Sequence, residues 1–431
     1  MVDGEGDVST IFALSSGPPP AAIAVVRISG PAAAAAVQAL AGRVPEPRRA
    51  SLAWLRDPGQ GERLDRALIL WFPGPRTATG EDLAELHLHG GRSVTLAVQA
   101  ALSRIEGLRP ALPGEFTRRA FANGVLDLAE AEGLADLLAA ETESQRRAAL
   151  ALASGALSRQ VEVWRIDLLS VAASIEAMLD FADEGDVGEG DTAAACREAT
   201  RLADEIEALL ARPPAERLRD GIRVILAGPP NVGKSTLLNR LAGRDAAITA
   251  PSAGTTRDLI EVPVAINGVA YVLTDTAGLR DGDDPVERIG IERAEQAIAA
   301  ADILLWLGDP IECPAHSAAI RLHARADIAG EAPLAADIAI SAKTGQGMEA
   351  LYARLHALTA GLLPREGELA VNARQRGALA DCMAALRDMP VDPILLAESL
   401  RAAQGALDRI TGRAGVEDML DTLFGRFCIG K

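Results

Sequence analysis

Apolar residues along this chain repeat with two different periods, and the change of period divides the chain into layers. Strand-length runs occupy residues 10–14 (TIFAL), 21–29 (AAIAVVRIS), 66–72 (RALILWF) and 84–89 (AELHLH), with the breaker Gly17-Pro18-Pro19-Pro20 between the first two. Residues 31–40 are alanine-rich with proline at the favourable first position, and residues 93–106 repeat apolar side chains three and four apart. Both read as helices, so residues 1–122 predict an α+β domain.

From residue 126 the period becomes helical. Residues 126–154, 156–181 and 193–211 carry apolar positions at helical spacing, interrupted by the acidic loop 183–191 and ended by Pro213-Pro214. The pattern returns at 372–389, 393–411 and 416–427. Between the two helical blocks lie short buried-strand runs at 223–227 (RVILA), 270–273 (AYVL) and 337–340 (DIAI). The expected fold is a multidomain α/β and α chain. An α+β domain (1–122) precedes a helical domain in two parts (123–215 and 366–431), and a P-loop domain with a mostly parallel sheet (216–365) is inserted between those parts.

At 431 residues and 49% hydrophobic content the chain suits several globular domains. Its net charge of −17 argues against broad, nonspecific nucleic-acid binding, which needs a basic surface, so any RNA substrate requires a local patch or a basic partner. Cys196, Cys313, Cys382 and Cys428 contain no C-x-x-C pair, which suggests neither zinc nor a disulfide framework and points to a reducing compartment. The acidic residues 1–7 are unlike a signal peptide, and no apolar run approaches bilayer length; the expectation is a cytoplasmic protein without a membrane span.

The chemistry is densest after residue 227. Gly228-Pro229-Pro230-Asn231-Val232-Gly233-Lys234-Ser235-Thr236 fits G-x-x-x-x-G-K-[ST] between a strand and a helix (236–242). In such a loop backbone N–H groups wrap a polyphosphate, the lysine reaches the outer phosphates and the hydroxyl holds Mg²⁺. Asp275-Thr276-Ala277-Gly278 follows the second strand as D-x-x-G, Thr255-Thr256 lies between the two, and Ser341-Ala342-Lys343 resembles a base-side loop of GTP-binding proteins. A guanine site normally adds N-K-x-D; here Ala324-Arg325-Ala326-Asp327 keeps the acid and loses the asparagine, while Arg325 can stack on the base plane. Leu279 follows D-x-x-G where Ras-type switches carry a water-orienting glutamine. Asn231 can offer an oxygen to a monovalent cation beside the phosphates, and Glu287 is either a water-orienting acid or an ordinary solvated helix residue. Elsewhere, His87 and His89 alternate onto one strand face without a matching third ligand, which favours a structural role. The pairs Arg118, Arg119 and Arg146, Arg147 are basic clusters of the kind that usually form solvated faces.

Several further motifs together resemble the MnmE (TrmE) family of tRNA modification GTPases. They are Val25-Val26-Arg27-Ile28-Ser29-Gly30-Pro31, Thr79-Gly80-Glu81-Asp82, His89-Gly90-Gly91, Pro113-Gly114-Glu115-Phe116-Thr117, Leu126-Asp127-Leu128, Ala253-Gly254-Thr255-Thr256-Arg257-Asp258 and the terminal Phe427-Cys428-Ile429-Gly430-Lys431. The resemblance implies a homodimer built through the N-terminal domain, which binds a tetrahydrofolate one-carbon donor (5-formyl- or 5,10-methylene-tetrahydrofolate). It also implies a flavin- and NADH-using partner, MnmG, with which the family modifies carbon 5 of the wobble uridine of certain tRNAs. GTP hydrolysis to GDP and phosphate is then stimulated by K⁺ as the two GTPase domains approach each other.

By the same resemblance Asn231 is a K⁺ ligand, helped by Ala250, Ser252 and Thr255; Ser235 and Thr256 hold Mg²⁺; and Glu287 orients water. Nucleotide contacts are expected from Asn231, Val232, Gly233, Lys234, Ser235, Thr236, Ala250, Pro251, Ser252, Ala253, Gly254, Thr255, Thr256, Asp275, Thr276, Ala277, Gly278, Asp327, Ser341, Ala342 and Lys343. Arg27, Glu85 and Lys431 match folate-contacting positions. Cys428 matches a terminal cysteine either close to the folate chemistry or inertly packed. The chain departs from the family at Pro18-Pro19-Pro20-Ala21-Ala22, at Val125 where a folate-contacting lysine can stand, and at Ala324.

Overall fold

The computed structural model describes residues 9–180, 189–243, 261–275, 295–328, 333–365, 367–390, 392–414, 417–425 and 427–430. These fall into two compact units, Met1–Ala135 with Thr411–Lys431, and Asp136–Ile410.

The first unit is built on a six-stranded sheet: β1 (Thr10–Leu14), β2 (Ile23–Ser29), β3 (Ser51–Arg56), β4 (Arg63–Phe72), β5 (Leu83–His89) and β6 (Leu108–Pro110), in the order β3-β4-β5-β2-β1-β6. Alternation decides its faces. Ala24, Val26 and Ile28 of β2 and Leu86 and Leu88 of β5 turn into the core with α1 (Ala33–Ala41) and α2 (Arg92–Ser103), while Arg27, Glu85 and His87 take the opposite face. Antiparallel register sets Arg27 directly opposite Glu85.

The motif at residues 113–117 leads into a helix, α3 (Glu115–Ala122), with Gly114 as its N-cap at φ 69°. The last helix of the chain, Glu417–Phe424, explains the glycine. A side chain at Gly114 would meet the Phe424 carbonyl oxygen at 2.2 Å, and the Phe424 ring lies 6.3 Å from Phe121 and 6.1 Å from Phe427. Beyond it Ile429 bridges to Pro113, and the Ser15 hydroxyl donates to the Gly430 carbonyl at 2.8 Å. The described part of residues 411–431, read from periodicity as part of the second helical portion, therefore groups with the N-terminal unit.

Glu115 is the centre of an ion network under this helix. Arg109 grips its carboxylate with both terminal nitrogens (2.8 and 2.6 Å), Arg119 adds a third contact at 3.1 Å, and the Leu112 N–H donates at 2.8 Å. Arg119 continues to Glu81, which accepts from the Ser29 hydroxyl at 2.7 Å, and Ser29 meets Thr79 at 2.6 Å. Thr79-Gly80-Glu81-Asp82 and Pro113-Gly114-Glu115-Phe116-Thr117 thus meet in one scaffold.

Helices lead from the first unit into the second. The apolar stretch expected as one helix is two, α4 (Leu128–Ala139) and α5 (Glu143–Ala153), because Thr142 forms a capping box with Gln145 and starts a new helix. In α6 (Ala156–Asp180) the buried residues Leu157, Val161, Trp164, Leu168, Val171, Ile175 and Met178 recur four and three apart, a single stripe that packs on α7 (Glu189–Leu210). Later, Ala373–Arg387 runs along α7, and the Arg376 guanidinium donates to the carbonyls of Leu210 (2.6 Å) and Arg212 (3.2 Å), satisfying the carboxyl end of α7.

After α8 (Ala215–Arg219) come β7 (Ile222–Ala227), α9 (Lys234–Ala242), β8 (Glu261–Ile266), β9 (Val269–Asp275), β10 (Ile303–Trp306), β11 (Ala319–His323), β12 (Ile338–Ala339) and α10 (Met348–Thr359). The sheet order is β12-β11-β10-β7-β9-β8, parallel except for β8. Val224, Ile225, Leu226 and Ala227 are all buried, the continuous apolar run of a strand covered on both faces. Among the described residues no helix is long and apolar enough to cross a membrane.

Candidate nucleotide site

The chain leaves β7 between β9 and β10, where strand order reverses, and open α/β sheets have their ligand crevice at that point. The loop that follows is shaped by close approach. Gly228 sits at φ 145°, and a side chain there would meet Gly308 N and Leu307 C at 3.1 Å. Asn231 takes a left-handed φ of 60°, and Gly233, at φ 107°, caps α9. The N-terminus of α9 thus points its backbone donors at the crevice, a ready anion site.

Lys234 is 5% exposed, and its ammonium donates to the carbonyls of Gly228 (3.0 Å) and Pro229 (2.9 Å). This holds the charge inside the loop, within reach of a phosphate. The Ser235 hydroxyl donates to the Asp275 carboxylate at 2.6 Å, which brings together the two oxygens expected from the P-loop and from D-x-x-G. Hard divalent cations take oxygen donors of this kind, so this half of the donor set fits Mg²⁺. The other expected residues of the phosphate and cation sites, Ala250, Pro251, Ser252, Ala253, Gly254, Thr255, Thr256, Thr276, Ala277, Gly278 and Glu287, lie outside the described residues.

Beside the P-loop is a cavity of about 230 Å³ whose wall includes Val232, Gly233, Thr236, Asp327, Ser341, Ala342 and Lys343. Residues scattered over more than a hundred positions are brought together there, as their motifs required. Leu307, at the end of β10, also lines the cavity and escaped the sequence reading, since ILLW is only a short apolar run. Arg325 adopts φ 57° and its guanidinium donates to the Asn231 carbonyl, so the base-side loop reaches back to the P-loop.

A second cluster lies on the polar face of the N-terminal sheet. Arg27 donates to Glu85 Oε1 from Nη2 (2.9 Å) and Nε (3.2 Å), His87 Nε2 lies 3.3 Å from Glu85 Oε2, and the Arg27 guanidinium stands 5.9 Å from the Phe116 ring. Burial alone would push the Glu85 carboxyl up; the hydrogen bond and charge of Arg27, with His87, outweigh it and hold the group below its usual range. Cys428 is exposed near the Pro113–Ile429 bridge, Val125 is 39% exposed, and Lys431 lies outside the described residues.

Other candidates resolve into structure. His89 pairs with Asp65 at 2.7 Å, and no group of three metal-ligating side chains occurs among the described residues. Arg118 pairs with Asp421, and Arg146 and Arg147 share the single carboxylate of Glu143, so each cluster is engaged in local ion pairs.

Comparison with known proteins adds the following. The family "MnmE helical domain" matches residues 128–428, and "GTP-binding protein TrmE N-terminus" matches residues 10–125. A tRNA modification GTPase MnmE of Rhizorhabdus wittichii is 61% identical over 434 residues, covering 99% of this chain and 98% of the relative. Proteins of that description are also 56% identical in Novosphingobium aromaticivorans (98% of this chain, 99% of the relative) and 58% identical in Sphingopyxis alaskensis (94% and 100%).

Proposed function

Since this chain belongs to the tRNA modification GTPase MnmE family and hydrolyses GTP, we propose that it is a K⁺-stimulated enzyme whose hydrolysis cycle gates modification of the tRNA wobble uridine. The observation that carries this reading is the conjunction, in one chain matched almost end to end, of a P-loop site and an N-terminal unit of the TrmE type. In this reading the chain works as a homodimer with an MnmG-type partner in the cytoplasm, and a tetrahydrofolate derivative supplies the one-carbon unit.

Each residue then has a task. Backbone N–H groups from Asn231 to Thr236 receive the phosphates, and Lys234 exchanges its two loop carbonyls for phosphate oxygens. Ser235 and Thr256 would hold Mg²⁺ and Asn231, with Ala250, Ser252 and Thr255, would hold K⁺; these ions supply positive charge beside the phosphates. Glu287 orients the attacking water, whose addition gives GDP and phosphate. Asp327, Ser341, Ala342 and Lys343 surround the base. In the N-terminal unit Arg27, Glu85 and Lys431 would hold the folate; the Arg27–Glu85 pair is half-buried on the polar sheet face beside Phe116. Cys428 stands on the same unit and is the candidate thiol for the one-carbon chemistry.

Nucleoside mass spectrometry of tRNA from cells with and without the gene tests the whole reading. Loss of the wobble-uridine modification with the gene, and its return with wild type, is expected; rescue by Cys428→Ser reports whether the thiol is needed. An unchanged modification refutes the enzyme role and leaves a GTP switch. In vitro, hydrolysis in K⁺ should greatly exceed that in Na⁺, and Asn231→Ala should abolish the difference; equal rates in wild type would remove the cation mechanism.

A further inference from the structure

The base-side loop lacks the asparagine of N-K-x-D, and the structure separates what such a side chain does into two tasks. The first is mechanical, holding the base loops to the P-loop. Here that task is done without residue 324. The Ala326 N–H donates to the Ile340 carbonyl (2.9 Å), the Ile340 N–H donates to the His323 carbonyl (2.8 Å), and the Arg325 guanidinium donates to the Asn231 carbonyl. Arg325 Nε also lies 4.0 Å from where a side chain on Gly233 would begin, so the arginine runs along the outer wall of the phosphate loop. Its positive φ of 57° turns the side chain toward that loop while the Ile328 N–H donates to the Arg325 carbonyl (2.9 Å).

The second task is donation of a hydrogen bond to the base, and nothing at position 324 performs it. Ala324 offers only a methyl group and packs against the apolar core of the sheet. Asp327, three residues on, lines the same cavity with an exposed carboxylate that has no partner among the described residues. Guanine has donors on one edge, N1–H and the 2-amino group, and acceptors on the other, O6 and N7. A carboxylate satisfies the first edge and repels adenine, whose N1 is a lone pair. The N7 side needs a donor that Ala324 does not have.

We propose that this site recognises guanine without reading N7: Asp327 takes the N1–H and 2-amino protons, Arg325 covers the ring plane and ties the base loop to the P-loop, and N7 faces Ala324. The proposal rests on the GTPase reading above and specifies its base pocket. Arg325 is a positioning residue in it, Asp327 the reader, and selectivity excludes adenine without sensing changes at N7.

Equilibrium binding of GTP, 7-deaza-GTP, ITP and ATP to the full chain in Mg²⁺ tests this. Wild type should bind GTP and 7-deaza-GTP within about twofold of each other and ITP, which lacks the 2-amino group, about tenfold more weakly, the loss expected for one charge-assisted hydrogen bond. ATP should bind more weakly still. Ala324→Asn should create a preference for GTP over 7-deaza-GTP of about fivefold to tenfold. Arg325→Ala should weaken both nucleotides by the same factor. A wild-type loss of tenfold or more on 7-deaza-GTP overturns the proposal while leaving the GTPase reading intact, and needs no variant to fold. An Ala324→Asn protein that binds GTP without the new preference overturns the placement of N7. Failure of wild type to bind any guanine nucleotide brings down both.

Discussion

Glu115→Ala tests whether the residues around α3 are scaffold. Glu115 is 9% exposed and receives two contacts from Arg109, one from Arg119 and one from the Leu112 N–H. With the carboxylate gone, Arg119 keeps Glu81, and Arg109 loses its two contacts to Glu115 while keeping those to Ser9 Oγ and the Pro110 carbonyl. Breaking a buried pair by deleting one partner destabilises by about 3–5 kcal/mol; because the Arg109 side chain is 35% exposed, the lower end, about 3 kcal/mol, applies. For a unit of roughly 150 residues that lowers the melting temperature by about 6–12 °C.

The pH dependence has a definite sign. Burial pushes the Glu115 carboxyl up, but Arg109, the Leu112 N–H and the charge of Arg119 together bring it below its usual value. A depressed folded-state pKa stabilises fully above the unfolded carboxyl pKa of about 4.3, and that stabilisation fades as pH falls through the lower folded value. Calorimetry of wild type and Glu115→Gln should therefore show a gap at pH 7 that narrows below pH 4. Hydrogen exchange over residues 108–122 should accelerate in the variant. A shift under about 1 °C for Glu115→Ala at pH 7, or a gap that widens in acid, would refute the network's role.

Glu287→Ala should slow GTP turnover at least about tenfold with nucleotide affinity within about twofold; an affinity loss of equal size makes it a binding residue. Asp327→Asn should move preference from GTP to XTP, because the amide donates to the C2 carbonyl of xanthine; undiminished GTP preference in a binding competition would count against Asp327 as the reader. Gly430→Ala forces a Cβ to within 2.2 Å of the Leu14 carbonyl oxygen at φ 97°, and should destabilise the N-terminal unit by about 2 kcal/mol in chemical denaturation, where no change would be inconsistent with the packed terminus. Gln145→Ala removes the acceptor for the Thr142 N–H (2.9 Å) and the donor to the Leu218 (3.1 Å) and Arg219 (3.0 Å) carbonyls, so exchange in α5 and α8 should rise together, by about tenfold or more.

The strands and helices with a clean period were legible. β1 spans the residues that the TIFAL run marks, and β7 and α9 flank the P-loop as its motif requires. What escaped was set by partners distant in sequence. α3 buries the polar Glu115 and Thr117 beside Phe116 and Ala120, and what makes those two polar positions interior is the contact with Arg109, Glu81 and the last helix. β3 exposes Leu52 and Trp54 at the sheet edge, and β8 carries Pro263, so neither resembles an interior strand in isolation. The nucleotide motifs were readable because each is a local spacing. The link from Arg325 to Asn231 was not, because it joins two loops through a backbone carbonyl that any residue possesses.

The clasp of the chain's two ends has a temporal consequence. Gly114 is shaped to the Phe424 carbonyl, Ser15 bonds Gly430, and Pro113 bridges Ile429, so the sheet made first by the ribosome lacks part of its own packing until the whole of Asp136–Ile410 has been synthesised. During translation the apolar surfaces of Phe121 and Ala131, which the terminal segment later covers, stay open to water or to chaperones. The unit carrying Arg27 and Glu85 therefore cannot complete its packing before residues 424–430 are made, although its sheet is translated ahead of Asp136–Ile410.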